Sequence, residues 1–157
     1  MTSTATIASD FKDNLFSTTQ QLMAANADTR DVLVSFGKPG TFEALDLVIF
    51  GRVSETQAPA AISTNRSRDE EISLTVTISV ARPGGNEMEQ LCSQRAYALL
   101  RMIEQQVRVT DTTVGGTVRY CFLDSHESEG ESDDYVLEKA RVIYITAKFK
   151  ALARITT

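Results

Sequence analysis

The sequence predicts an α+β fold: a single, mostly antiparallel sheet of about five strands with two main helices packed on it, in the order α-β-β-β-α-β-β. Three observations carry this. Apolar residues recur at helical spacing over two stretches, near residues 6–27 and 86–109. The run "EISLTVTISVARP" alternates apolar and polar residues as a strand does. The strand-like runs come as a group of three and a group of two, which favours one sheet with helices laid on it over a strict strand–helix alternation. With 157 residues, 42% hydrophobic and 24% charged, the chain suits one domain over residues 1–157 with a real core.

In the first stretch Ile7, Phe11, Leu15, Leu22 and Met23 form a stripe among Thr, Asn, Gln and Lys, so an amphipathic helix is expected, ended by "NADT" at 26–29. Gly37-Lys38-Pro39-Gly40 joins the runs "DVLVSFG" and "FEALDLVIFGRV", a hairpin signal. The second run places Leu45, Leu47 and Ile49 on one face and Val48 and Phe50 on the other, as in a central strand covered on both sides. Residues 54–70, "SETQAPAAISTNRSRDE", show little periodicity and predict a long loop, which at that length is usually functional or disordered.

The strand that follows opposes Ile72, Leu74, Val76, Ile78 and Val80 to Ser73, Thr75, Thr77 and Ser79. A polar face without charges suits contact with another subunit, although threonine also serves in ordinary solvent-facing strands. Asn86, with Glu89 three residues on, makes a capping-box start for the second helix. Its stripe is Met88, Leu91, Cys92, Ala96, Leu99, Ile103 and Val107, reaching about Val109. Two final strands, "TVRYCFLD" and "YVLEKARVIYITAKFKALARI", flank an acidic loop at about 124–134. Arg141, Lys148, Lys150 and Arg154 make the last strand a basic ribbon.

Charge narrows the function. A net charge of −5 argues against a surface that grips nucleic acid or anionic membrane, but not against working beside DNA that must slide past. There is no tryptophan, and the basic residues are spread out. No secretory leader and no spanning segment are expected. Cys92 and Cys121 lack Cys-x-x-Cys spacing and read as two buried hydrophobes in a reducing compartment.

Catalytic patterns fail in turn. Gly115-Gly116 follows a helix, the wrong end of the macrodipole for phosphate. Gly84-Gly85 precedes one, but Glu87 and Glu89 would repel phosphate there and no Walker lysine follows. The single histidine, His126, has no nucleophile elbow to serve. The acidic segment "DSHESEGESDD" offers oxygen ligands for Ca²⁺ or Mg²⁺. In EF-hand register from Asp124, however, Glu129 stands where glycine belongs and Tyr135 where glutamate belongs. No enzyme and no cofactor are expected.

The order of elements, and the segment "DTTVGGTV" after the second helix, resemble the tail terminator proteins of long-tailed (siphovirus-type) bacteriophages. In that family a helix leads through an Asp-x-Thr-Leu-Gly-Gly-x-Val-like turn into a strand. Asp111, Thr113, Val114, Gly115, Gly116 and Val118 match it, with Val114 in place of leucine. The acidic 125–134 segment is not part of the resemblance.

The resemblance implies a structural virion protein, assembled in the host cytoplasm and resident in the tail or neck. Such subunits close into a ring, expected to be hexameric, that caps the tail tube, ends its growth and offers a head-joining surface. The implied partners are further copies, tail tube protein and a head–tail connector, with DNA only as cargo through the lumen and no membrane. Contact surfaces for a neighbour or the tube are expected at Arg66, Arg68, Glu70, Asp133, Asp134 and Arg141. Alternatives are another neck component, such as a tail completion or head-closure protein, or a small Ca²⁺- or ligand-binding α+β domain.

Overall fold

A computed structural model describes residues 3–40, 44–61 and 64–156, with only the backbone described at 61 and 64–66. The fold is α+β. One mixed five-stranded sheet carries two main helices, α1 (Ala8–Ala25) and α2 (Glu87–Gln105), on one face. The strands are β1 (Leu33–Phe36), β2 (Asp46–Ala61), β3 (Thr64–Pro83), β4 (Tyr120–Gly130) and β5 (Ala140–Ile155), in the order β1-β2-β3-β5-β4. A single-turn helix, α3 (Asp134–Leu137), lies between β4 and β5.

The predicted alternation sets the core. Ile72, Leu74, Val76, Ile78 and Val80 of β3 are fully buried under the helices. Across the sheet they meet Val48 and Phe50 of β2 and Ile143, Ile145, Ala147, Phe149 and Ala151 of β5. The helices bring Phe11, Leu15 and Met23 from α1, and Cys92, Ala96, Leu99 and Ile103 from α2. Phe16 of α1 closes the β1 end by meeting Phe36 and Phe50 edge-on, with ring centroids at 5.3 and 5.7 Å.

Three expectations are corrected. The Gly37–Gly40 segment does not turn a hairpin: β1 runs parallel to β2, from Leu33 opposite Leu47 to Phe36 opposite Phe50. The start of the second run at Phe42 lies outside the described residues. The expected loop at 54–70 is strand on both sides, with β2 and β3 paired from Ser54 opposite Ser73 out to Ala61 opposite Thr64. Past the end of β5, where Ile155 faces Arg68, this hairpin projects as an arm. Over residues 54–60 no side chain is fully buried, so the alternation that betrays a half-buried strand is lacking. The expected acidic loop is likewise strand as far as Gly130, which faces Ile143. Only 131–139 connects β4 to β5. At a sheet edge charged side chains are tolerated and even protective, so charge masks the strand.

The capping box of α2 does not form. Asn86 makes no side-chain cap; Glu87 accepts the Gly85 N–H at 3.1 Å instead, while Glu89 turns to Arg141. Among the described residues no helix is long and apolar enough to cross a membrane.

Candidate functional site

The Asp111–Val118 segment is a self-built turn. The backbone tightens into a π-helical turn over Gln106–Thr110, and the Asp111 N–H donates back to the Gln106 carbonyl at 2.8 Å. Val114, Gly115 and Gly116 follow with φ of 46°, 65° and 78°. Three successive left-handed residues reverse the chain, a conformation that glycine adopts freely and valine rarely. Burial of the Val114 side chain, 2% exposed, holds the valine there.

Side chains complete the turn. Asp111 Oδ2 accepts from the Gly115 N–H at 2.8 Å, and Thr113 Oγ1 accepts from the Gly116 N–H at 3.2 Å. The Thr117 hydroxyl donates to the Val114 carbonyl at 2.7 Å. The two glycine amides that a phosphate would need are thus already engaged by the turn's own side chains. The residues shared with the tail terminator pattern divide the work of the turn among them. Asp111 and Thr113 cap, the glycines reverse the chain, and Val114 and Val118 bury their side chains.

The six expected contact residues fall into different environments. Glu70 is not at a surface: it is fully buried, accepting from the Ile7 N–H at 3.1 Å and from the Thr6 hydroxyl. It fastens the start of α1 to β3. Burial pushes its carboxyl up, the Thr6 and Ile7 hydrogen bonds oppose this, and Glu55 adds to the rise. A charged residue beside Asp69 and Glu71 looks solvated in sequence; its inward register decides otherwise.

Arg141 is also committed internally. Its side chain is 16% exposed, pairs with Glu89 at 3.6 Å and donates to the Leu137 carbonyl at 2.9 Å. Asp133 Oδ1 caps α3 by accepting the Tyr135 N–H at 2.9 Å, and Asp134 stands exposed on the same turn. The Arg66 side chain lies outside the described residues. Arg68 is half-exposed opposite Pro59 in the arm and has no carboxylate partner among the described residues.

The basic ribbon is largely neutralised within the chain. Arg154 pairs with Asp69 at 2.9 Å, and Lys150 with Glu71 at 3.1 Å and Asp124 at 3.8 Å. Hydrogen bonding to Arg154 holds Asp69 below its usual range. These pairs lie on the sheet face away from the helices. Ser73, Thr75, Thr77 and Ser79 share that face; the first three are partly exposed, while Ser79 is buried at the end where Lys38 and Pro39 approach.

Sequence reasoning missed the most connected charge cluster. Asp46 is buried at the start of β2, held by Arg82 at 2.5 and 3.1 Å and by Arg95 Nε at 3.0 Å. Burial pushes Asp46 up, but the Arg82 and then the Arg95 hydrogen bonds outweigh it and leave the carboxyl below its ordinary value. Arg95 also donates to the Asp28 carbonyl, tying the end of α1 to α2 and β2. No local motif joins positions 28, 46, 82 and 95, so the cluster has no sequence signature.

Nucleophile chemistry finds no support in the thiols. Burial pushes Cys121 up to about 12 and Cys92 upward as well, so both stay protonated. His126 faces Tyr97, with ring centroids at 5.5 Å. Among the described residues no three His, Cys, Asp or Glu side chains gather as a metal site; the acids of β4 are strung along an extended strand. No family model matches the chain, and no curated protein matches it.

Proposed function

We propose that this chain is a tail-terminator-type assembly protein: a subunit of a ring, expected to be hexameric, that caps a phage tail tube and presents a surface for joining the head. The carrying observation is the Asp111–Val118 turn. Each position that resembles the family pattern has a distinct structural duty there, and the turn sits between the second helix and the fourth strand, as the resemblance requires.

Two features support the reading. The sheet ends in two unlike edges, and unlike surfaces on one subunit are what a heterologous, ring-closing contact needs. The net charge of −5 suits a lumen through which DNA passes without adhering. The reading makes the protein a structural component of the virion, without catalytic residues or cofactor, whose partners are itself, tube protein and a connector. Its test is negative-stain imaging of tail tube protein polymerised with and without the chain. The expected result is rings seated on tube ends and tubes that stop growing; bare tube ends with continued growth would overturn it.

A further inference from the structure

Among the described residues the outer edges of β1, of β2 beyond β1 and of β4 are open, and the last two carry charge. β1 covers β2 only through Phe50, so from Val53 to Ala60 the outer backbone edge of β2 has no strand beside it among the described residues. At the far side, β4 leaves its outer edge open from Tyr120 to Gly130. Unpaired strand edges are templates for another strand.

Their charges differ in sign. Residues 52–68 carry Arg52, Arg66 and Arg68 against Glu55 alone. Residues 120–134 carry Asp124, Glu127, Glu129, Glu131, Asp133 and Asp134 with no lysine or arginine. Internal contacts use part of this acidity: Asp124 meets Lys150, and Glu131 accepts from the Tyr144 hydroxyl at 3.0 Å. Glu127 and Glu129 have no such partner among the described residues, and neither does exposed Arg52.

One molecule cannot join these surfaces. Arg68 faces Ile155, whereas Glu127 faces Thr146 and Glu129 faces Tyr144. At about 3.3 Å per residue along β5, Arg68 stands roughly 30 Å from Glu127, and Arg52, next to the rung of Val53, Leu74 and Phe149, is three strand spacings of about 4.8 Å each from β4. Pairing β4 with β4 of a second copy would set acid against acid, and pairing two arms would bring their arginines together. Only arm against β4 attracts.

We infer that the β2 edge beyond β1, Val53–Ala60, adds to the β4 edge of a second copy of this chain, steered by Arg52 and Arg68 toward Glu127 and Glu129. The contact is heterologous and leaves each joined pair with one free arm and one free β4 edge, so it propagates and closes only as a ring. This rests on the ring-subunit reading and specifies its subunit contact.

Two variants test it: Arg52→Glu with Arg68→Glu, and Glu127→Lys with Glu129→Lys, each checked for wild-type circular dichroism and melting. Native mass spectrometry should show ring for the wild type and monomer for each variant alone. An equimolar mixture should restore the ring, because the unaltered arm and edge still pair and the Glu-bearing arm of one variant meets the Lys-bearing edge of the other. Either variant assembling like the wild type, a mixture that stays monomeric, or a wild type that stays monomeric at millimolar concentration would overturn the contact.

Hydrogen exchange on the wild type gives a readout independent of mutant folding. Amides of 54–58, Ala60 and 122–129 should gain protection together as concentration rises, and protection confined to one edge would contradict the pairing. Rings that form through these edges yet leave tubes uncapped would sink the tail-terminator role and spare this contact. Capped tubes with both edges unprotected would do the reverse.

Discussion

Asp46 and Glu70 are both buried carboxylates, and their surroundings send them in opposite directions. Asp46 faces two arginines whose side chains are 22% and 23% exposed. Asp46→Ala leaves both arginines without their anion, and breaking such a pair costs about 3 kcal/mol, the low end for buried pairs because the arginines stay partly wet. The expected drop in melting temperature is about 10 °C. Because the folded value of Asp46 lies below the ordinary 3.8, its contribution is present above that pH and fades as acid takes the solution through the folded value.

Glu70 behaves conversely. Its folded value lies above the ordinary 4.5, so its contribution is complete below 4.5 and drains away as pH rises through the folded value. Glu70→Gln removes that dependence. The melting temperature of the wild type minus that of the variant should therefore fall between about pH 4 and about pH 7. A difference that stays flat or rises over that range would show that Glu70 ionises in the fold at least as readily as in the unfolded chain.

At the scale of elements, the Asp111–Val118 turn separates its two glycines. A Cβ on Gly115 would come within 2.8 Å of Asn14 Oδ1 and would sit at φ 65°, whereas a Cβ on Gly116 would meet open space at φ 78°. Gly115→Ala should cost about 2 kcal/mol and Gly116→Ala about 1 kcal/mol. Chemical denaturation measures both, and Asn14→Ala in the Gly115→Ala background should recover part of the larger loss. Equal costs would mean that the contact with α1 contributes nothing.

Elements with one dry face were the legible ones. β3 announced itself because five residues on one side are fully buried, and α1 and α2 because each presents a stripe to that sheet. Residues 54–60 of β2 and the acidic half of β4 are illegible for the opposite reason: they have no buried side, and backbone pairing with a distant strand leaves no side-chain period. The parallel setting of β1 was hidden because Gly-Lys-Pro-Gly encodes a bend but not where the chain goes afterwards. At the candidate surfaces, the turn residues could be read from local sequence. Glu70 and Arg141 could not, because their inward direction is fixed by register against partners far along the chain.

For the whole molecule, the sheet has one face under helices, and on its opposite sides the open edges of β2 and β4 carry unlike charge. The internal ion pairs of Lys150 and Arg154 neutralise part of the exposed face of β5, and the β2–β3 hairpin carries further arginines in an acidic protein. Assembly driven partly by such charges should weaken as salt rises, since exposed charges are screened beyond about 8 Å at physiological ionic strength. A ring-to-monomer shift on raising salt, followed by sedimentation velocity, is the expected behaviour; indifference to salt would assign the contact to apolar burial.

Imaging of tail tube protein assembled with this chain decides whether the subunit caps a tail. The expected images show a closed ring of this protein at tube ends, with tubes of bounded length. Tubes that grow without limit beside unattached protein would contradict the capping role.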